Sequence, residues 1–247
     1  MNDPFQMQPE LRYGAPVCDE ILTGRYFTIG YSWYFRQAKW VLEIVNRNEF
    51  LLRDVDRQNN FRADTRIPHR FRAGLEAYKG SGFDRGHLAA SANQDVLVTQ
   101  NSETFLLSNM SPQIGPGFNR GVWRILEQAV RKLNDQDDIN ETYVLTAPLF
   151  YFEKEIQTIG DKNDDYGIDV PVPHSFVKSV LAEDKKGRLK LWTFEMENRA
   201  HDDTDLSKYL TNTYNVEQIL GGMFWTRVDG RILHEDKMNP RNMWEYE

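Results

Sequence analysis

The sequence predicts an α+β fold in which a central, mostly antiparallel β-sheet is flanked by helices. Strand-like and helix-like patterns are interspersed along the chain, as is typical of a mixed fold. The 247 residues are 40% hydrophobic and 27% charged, which argues against a disordered chain. Since no repeat, low-complexity tract or obvious linker interrupts the sequence, we interpret residues 1–247 as one domain, with an extended segment at 1–25 and a polar tail at 237–247.

Two strands, which could form a hairpin, are predicted in residues 26–45. Aromatic and apolar side chains alternate with their neighbours in two runs there, the period of a half-buried strand. The alternating residues are Tyr31, Trp33 and Phe35, followed by Trp40, Leu42 and Ile44.

Short apolar runs predict the remaining strands and the shorter helices. A Gly-rich turn at residues 78–83 leads into the segment Asp84–Leu88, and Pro112–Gly117 is a loop. The predicted strands are 104–110, 142–149, 175–182 and 189–195, with an acidic loop at 161–169. Helix candidates lie at 205–210 and 216–220.

The clearest helix in the sequence is predicted at Asn119–Leu133. Its apolar residues recur at three- and four-residue steps and form one face; they are Val122, Ile125, Leu126, Ala129, Val130 and Leu133. Because a step of four residues turns a helix by only about 40°, Asn119, Glu127 and Arg131 fall along one flank. Such a row suits a site, but Glu127 and Arg131 also fit an ordinary stabilising pair four residues apart.

Charge and cysteine content exclude some classes of protein. The formal net charge is −7, from 30 basic and 37 acidic residues, so the chain does not hold nucleic acid by bulk charge, although a local basic groove remains compatible with this total. Cys18 is the single cysteine, so an intrachain disulfide and a four-thiolate zinc site are excluded. No signal peptide or membrane-spanning segment is visible, and the localisation stays open between export after leader removal and a controlled intracellular protein.

The tripeptide Arg85-Gly86-His87 follows the Gly-rich turn and is a candidate for chemistry. Imidazole has a pKa near neutrality and is suited to general-base work, and a glycine lets the backbone bring its neighbours close to a substrate. A single histidine is more often structural, so this motif alone decides nothing.

Four segments together resemble one family, the DNA/RNA non-specific endonucleases. These are the ββα-metal, or His-Me finger, nucleases with an Asp-Arg-Gly-His motif. Phe83–Leu88 contains that motif, and Arg57–Asp64 resembles the upstream Arg-x-x-Asn-Phe-x-x-Asp segment. Leu107–Gln113 resembles the Ser/Thr-Asn-x-x-Pro-Gln segment, and Asn119–Glu127 resembles the Asn-x-x-x-Trp-x-x-x-Glu helix. The segments follow the family order.

The resemblance implies a ββα-metal motif at about residues 83–134. In it, Asp84–Leu88 and a strand at Phe105–Asn109 would pack against the helix that begins at Asn119. The implied catalytic residues are His87 as general base, Arg57, Arg85 and Arg131 on the phosphate, Glu127, and Asn109 as support of the site. The implied metal site has Asn119 as direct ligand and Glu127 acting through water.

Basic residues in the first third of the chain are expected to line the cleft. They are Arg53, Arg57, Arg62, Arg66, Arg70, Arg72 and Arg85, and Arg62 is added to Arg57, Arg85 and Arg131 as a candidate substrate-binding residue. For about half of these residues, a solvated basic loop is the alternative interpretation. Lys178 is expected to face solvent rather than substrate, and Trp192, Phe194, Phe224 and Trp225 are expected in the core.

The function implied by the resemblance is Mg²⁺-dependent hydrolysis of DNA and RNA, with Mn²⁺ as substitute, to 5′-phosphate and 3′-hydroxyl ends. Hydrolysis of an anionic diester needs a base, neutralisation of the phosphate and help for the departing oxygen. Arginine–phosphate contacts carry no base information, so weak sequence preference is expected. The alternatives are a catalytically weak nucleic-acid-binding module, or a toxin or defence nuclease restricted to one nucleic-acid class. A homodimer and an inhibitor or immunity protein are the partners considered, and membrane insertion is not expected.

Overall fold

A computed structural model describes residues 8–45, 55–160 and 169–246. Its strands are β1 (Glu20–Thr23), β2 (Phe27–Ser32), β3 (Gln37–Ile44), β4 (Asp84–His87), β5 (Met110–Gln113), β6 (Ile139–Leu149), β7 (Thr158–Ile159), β8 (Val170–Pro171), β9 (Ser175–Asp184) and β10 (Leu189–Glu197). Its α-helices are α1 (Leu75–Tyr78), α2 (Val98–Glu103), α3 (Trp123–Asn134), α4 (Thr213–Leu220) and α5 (Gly230–Met238). This arrangement confirms the predicted α+β class.

The centre of the fold is a six-stranded sheet with the order β1-β2-β3-β6-β9-β10. Every neighbouring pair in it is antiparallel, as predicted. The alternation in residues 26–45 produces the β2–β3 hairpin, but β2 ends at Ser32 and residues 33–36 form the turn. The aromatic side chains of that turn are therefore not part of the strand.

Each face of the sheet is covered by its own layer of helices. On one face, apolar residues of α3 such as Leu126 and Val130 pack against Val144 and Val180 of the sheet. On the other, Val216 of α4 and Leu233 of α5 belong to a second cluster that includes Trp40. The residues expected in the core are buried: Trp192, Phe194, Phe224 and Trp225.

Two predicted boundaries around the ββα motif are wrong. The segment expected as a strand at residues 104–110 contains a 3₁₀ turn at Leu107–Asn109. The strand β5 begins only at Met110, and it includes Pro112 and Gln113, which pair with β4. The regular helix begins at Trp123, not at Asn119, since Gly117 has a φ of +76° and Gly121 is non-helical. Asn119 consequently lies in an irregular turn before the helix.

The chain ends are more structured than the sequence suggests. Strand β1 lies within the expected extended segment 1–25 and pairs with β2. In the expected tail at 237–247, Trp244 is 8% exposed and its indole Nε1 donates to the carbonyl oxygen of Ala129 in α3 at 2.9 Å. The side chains of Trp244 and Tyr246 in this tail pack beside α3. The polar composition of the tail does not predict this packing.

Some expectations fall on residues that the structure leaves out. Arg53 and most of the acidic loop at 161–169 lie outside the described residues. Among the residues that are described, no helix is long and apolar enough to cross a membrane.

Candidate active site

The candidate site is built on the β4–β5 hairpin. Its register pairs Asp84 with Gln113 and His87 with Met110. Gly86 stands between the two candidate polar residues Arg85 and His87, and a Cβ atom there would collide with the side chain of Gln113. The glycine of the motif thus leaves the space that the buried side chain of Gln113 occupies.

Asn119 is attached to this hairpin through Asp84. Its Nδ2 donates to Asp84 Oδ2 at 2.9 Å, and Arg120 Nε lies 3.2 Å from the same carboxylate oxygen. Because the amide nitrogen is engaged with Asp84, the amide oxygen Oδ1 is left as an acceptor for another ligand. Asp84, interpreted from the sequence as structural, therefore orients the candidate metal ligand.

His87 lies in an aromatic pocket at the end of β4. Its imidazole contacts Phe105 and Phe61 edge-on, at centroid distances of 4.9 and 5.8 Å, and it is 9% exposed. Its Nε2 is buried and has no hydrogen-bond partner within the described residues. Burial, helped by the charges of Arg57 and Arg85, lowers the pKa of His87 to about 3, so the imidazole is neutral at neutral pH and can accept a proton.

The same two aromatic rings carry two guanidinium groups. The Cζ of Arg85 lies 4.0 Å from the centroid of Phe61, and that of Arg57 lies 4.9 Å from Phe105, both within range of cation–π contact. Arg57 Nη1 also donates to Ser91 Oγ at 2.6 Å. Both arginines are thereby held next to His87.

A cleft of about 630 Å³ brings several of the predicted residues together. Its lining includes Arg57, Asp84, Arg85, Asn119 and Arg120, with Phe61 and Tyr78 among the aromatic residues. Since Phe61 contacts the ring of His87, the imidazole lies directly behind this wall. An anion bound in the cleft would face guanidinium groups and an amide oxygen at once.

Helix α3 supplies Glu127 and Arg131. Burial raises the pKa of Glu127, and the charges of Lys178, Arg131 and Arg57 oppose that shift. Arg131 Nη1 donates to Asn93 Oδ1 at 3.0 Å, and in the described part of the chain it forms no salt bridge with Glu127. Arg131 therefore bonds the loop rather than Glu127, although its charge still acts on Glu127 along the helix.

Asn109 and Arg62 have contacts that indicate structural roles. Asn109 is fully buried, and its amide bonds the backbone N–H and carbonyl of Ala89 and the carbonyl of Thr104, so it shapes the segment after His87 without reaching substrate. The guanidinium of Arg62 donates to the carbonyls of Asn60 and Ser102. These bonds favour Arg62 as an anchor of its own loop over the phosphate contact expected from the sequence.

Lys178 and Glu43 are the residues that sequence reasoning misplaced or missed. Lys178, expected to face solvent, is 1% exposed; its Nζ donates to Thr146 Oγ1 at 2.8 Å and lies 4.7 Å from the ring centroid of Trp123. Glu43 is equally buried in β3. The reason is that β3 and β9 are central strands covered on both faces. A charged residue inside an otherwise apolar run was the available signal in each case.

The atoms around Asn119 suit a hard divalent cation. Mg²⁺ binds oxygen ligands, keeps several waters and takes few ligands from the protein. The free amide oxygen of Asn119, fixed by Asp84, is such a ligand, and Glu127 on α3 is a carboxylate that could bond a metal-bound water.

Comparisons with known proteins agree with this geometry. The model of the DNA/RNA non-specific endonuclease family matches residues 9–230. A protein named nuclease from Syncephalastrum racemosum is 36% identical over 228 residues, which are 87% of this chain and 70% of that protein. Mitochondrial endonuclease G from Caenorhabditis elegans is 34% identical over 93% of this chain and 76% of its own.

Similar proteins include a human protein and a solved structure. Human mitochondrial endonuclease G is 34% identical over 86% of this chain and 72% of its own length. A chain from the crystal structure of the EndoG/EndoGI complex, which addresses EndoG inhibition, has a TM-score of 0.82 and 30% identity, covering 93% of this chain and 95% of that one.

Proposed function

Since the chain belongs to the DNA/RNA non-specific endonuclease family and is an endonuclease that acts on nucleic acids, we propose that it hydrolyses both DNA and RNA in a Mg²⁺-dependent reaction. The products carry 5′-phosphate and 3′-hydroxyl ends. The observation that supports this proposal best is the neutral, buried imidazole of His87 beside two guanidinium groups, which line one cleft together with Asn119.

His87 acts as the general base in this proposal. A base must be unprotonated before it removes a proton from water, and burial keeps the imidazole in that form. Substrate bound in the cleft places the anionic phosphodiester near the ring. This negative charge favours the imidazolium that forms as the proton is taken up. A positioned base contributes about 10²–10⁴-fold to such a rate.

Arg57 and Arg85 bind the phosphate. Guanidinium groups donate planar pairs of hydrogen bonds to phosphate oxygens and neutralise charge that grows during attack. Their contacts with the rings of Phe105 and Phe61 hold them near this position before substrate arrives. Such contacts read the backbone, so the proposal includes cleavage with little dependence on base sequence.

Asn119 would hold the metal directly, and Glu127 would act on it through a water. Membership of the family implies a divalent cation, and we propose Mg²⁺, with Mn²⁺ as substitute, on Asn119 Oδ1. When bound, the cation supplies Lewis acidity and charge for the departing oxygen. Asp84 keeps the amide of Asn119 in the required orientation, and Glu127 orients a water of the cation.

Control by a second protein is also proposed. The EndoG chain of similar fold was solved in a complex described as inhibitory, and an unrestrained nuclease would damage its own cell. We propose that a protein inhibitor binds this chain too. The homodimer stays a prediction from the resemblance.

The experiment that tests the function is digestion of plasmid DNA and total RNA by the purified chain. Both substrates should be degraded with Mg²⁺ or Mn²⁺, and excess EDTA should abolish the activity reversibly. Full activity in chelator would contradict the metal site, and degradation of one nucleic acid alone would contradict the broad substrate range. End-labelling of the fragments determines which end carries the phosphate.

A further inference from the structure

Two charged residues lie buried beneath the candidate site, between the sheet and α3, and the proposed function assigns no role to either of them. Glu43 of β3 and Lys178 of β9 are each 1% exposed. The strand registers place both on the α3 face of the sheet, with Thr146 of β6 opposite Lys178. Burying ionised groups costs free energy. The contacts of these two side chains therefore indicate which part of the structure they stabilise.

Glu43 binds the loop that follows the general base. We call residues 89–94 the post-histidine loop. The carboxylate accepts hydrogen bonds from Ala90 N, from Asn93 Nδ2 and from Gln94 Nε2, each at 3.2 Å. Three donors from one short loop therefore converge on a single buried carboxylate, with Lys178 as the nearby compensating charge.

The same loop presents acceptors to two arginines, Arg57 of the proposed phosphate site and Arg131, which the family resemblance places on the phosphate. Asn93 Oδ1 accepts from Arg131 Nη1 at 3.0 Å, and Ser91 Oγ accepts from Arg57 Nη1 at 2.6 Å. Asn93 is 3% exposed. Its amide bridges two charges, since its nitrogen faces the carboxylate of Glu43 and its oxygen faces the guanidinium of Arg131.

We propose that Glu43 and Asn93 are positioning residues for phosphodiester hydrolysis, and that they act through Arg131. This inference rests on the proposed function. Glu43 fixes which way the amide of Asn93 points, and the amide oxygen then holds Arg131 in the orientation that meets the phosphate.

The physical reason is preorganisation. A free arginine side chain has many rotamers, and immobilising it when substrate binds costs conformational entropy. A buried acceptor removes part of that cost in advance. An amide can turn over and present its nitrogen instead of its oxygen, and the two acceptor oxygens of Glu43 prevent this because they bond the N–H side of the loop amides.

A double-mutant cycle tests the proposal. Asn93→Leu keeps the size of the side chain but removes both hydrogen bonds, and Arg131→Ala removes the group on which it acts. We expect Asn93→Leu to lower kcat/KM about tenfold in the wild-type background and by less than about twofold in the Arg131→Ala background. Equal losses in both backgrounds would overturn the inference, since a merely structural role affects both alike.

Two further variants keep the test decisive. Glu43→Gln retains an acceptor oxygen but removes the charge, and it should show the same non-additivity with Arg131→Ala. The matched control is Glu217→Gln, which neutralises a buried carboxylate on the opposite face of the sheet and should leave kcat/KM unchanged. If Asn93→Leu loses its cooperative thermal transition, Asn93→Ser, which leaves room for water, replaces it in the cycle.

The outcome does not depend on turnover alone. The cycle is repeated as the Kd for a short fluorescein-labelled DNA duplex in EDTA, measured by anisotropy. An inactive wild-type chain would contradict the proposed function, whereas additive losses of affinity would contradict the role of Asn93 and Glu43. The two failures are therefore distinguishable.

Discussion

The two faces of the central sheet bury charge in different ways. On the α4–α5 face, Lys237 Nζ bonds Glu217 Oε1 at 2.6 Å and the carbonyl of Phe224 at 3.0 Å. This pair is satisfied within its own layer and ties α5 to α4. On the α3 face, Glu43 reaches into the post-histidine loop and from there to Arg131.

The contrast separates a structural ion pair from a network that serves a site. Along β3, Leu42 and Ile44 point into the apolar cluster of the α4–α5 face, and Glu43 between them points to the α3 face. A buried charge bonded only to its neighbours stabilises packing. In our proposal, a buried charge bonded to the loop that accepts hydrogen bonds from Arg57 and Arg131 also orients those arginines.

The largest effect is expected for His87→Ala on the α3 face. Loss of the general base should lower kcat about 10²–10⁴-fold while nucleic-acid binding persists. The measurement is plasmid cleavage with a parallel gel-shift assay, and His234→Ala, at an exposed histidine of α5, is the matched control. Cleavage near the wild-type rate would remove His87 from the mechanism.

Lys237→Met should break the pair on the opposite face. Glu217 would be left buried without its cation, which costs about 3 kcal/mol of unfolding free energy. Urea unfolding measures that loss, and the activity of the folded fraction should match the wild type. A drop in kcat at temperatures where the variant is folded would show that the two faces are not independent.

Asp84→Asn should weaken the candidate metal site without unfolding the hairpin. The amide of Asn119 loses the charge that fixes its orientation, and a loss of such a supporting contact typically costs about 10–100-fold in metal affinity or activity. Titration of activity with Mg²⁺ should therefore show a higher half-saturating concentration. Asp138→Asn, which removes an exposed partner of Lys190, is the control, and an unchanged Mg²⁺ requirement in Asp84→Asn would argue against Asn119 as ligand.

The smallest effect concerns pH and stability. Burial lowers the pKa of His87 from 6.5 to about 3, so the unfolded chain binds a proton there that the folded chain does not. Stability should fall as pH decreases through 6.5, by about 1 kcal/mol per pH unit from this group. Glu43 acts with the opposite sign, because its pKa is raised to about 7 and the folded chain holds that proton more firmly.

Comparison of the wild type with His87→Leu isolates the histidine contribution. The difference in unfolding free energy between the two proteins should change with pH below about 6.5, the ordinary imidazole pKa. Parallel curves across that range would mean that His87 is not desolvated. The acid limb of kcat/KM should likewise lie below the ordinary imidazole pKa.

The candidate site shows which features a sequence carries on its own. The ordered motifs around Arg57, His87 and Asn119 identify the family because each requires a particular residue type at a particular place. The strands at 142–149 and 175–182 were predictable as well, since their runs of apolar residues match the buried sheet. These patterns are local, so they can be recognised in the sequence without a structure.

Other features depended on contacts between distant segments. Asn109 and Arg62 look like site residues in sequence, yet their partners are backbone atoms. Arg131 could pair with Glu127 along one helix, but Asn93 offers a better-placed acceptor from a loop 38 residues away. The periodicity of a helix cannot predict a competing hydrogen-bond acceptor that only folding brings near.

The amino-acid sequence by itself determined the fold class, the family and the kinds of group that we propose for hydrolysis. The tertiary structure alone decided how those groups are oriented: the amide of Asn119 by Asp84, the protonation of His87 by its aromatic pocket, and the guanidinium of Arg131 by Asn93 and Glu43. The reason is that hydrogen bonds and desolvation act over a few ångströms in space, whatever the separation along the chain.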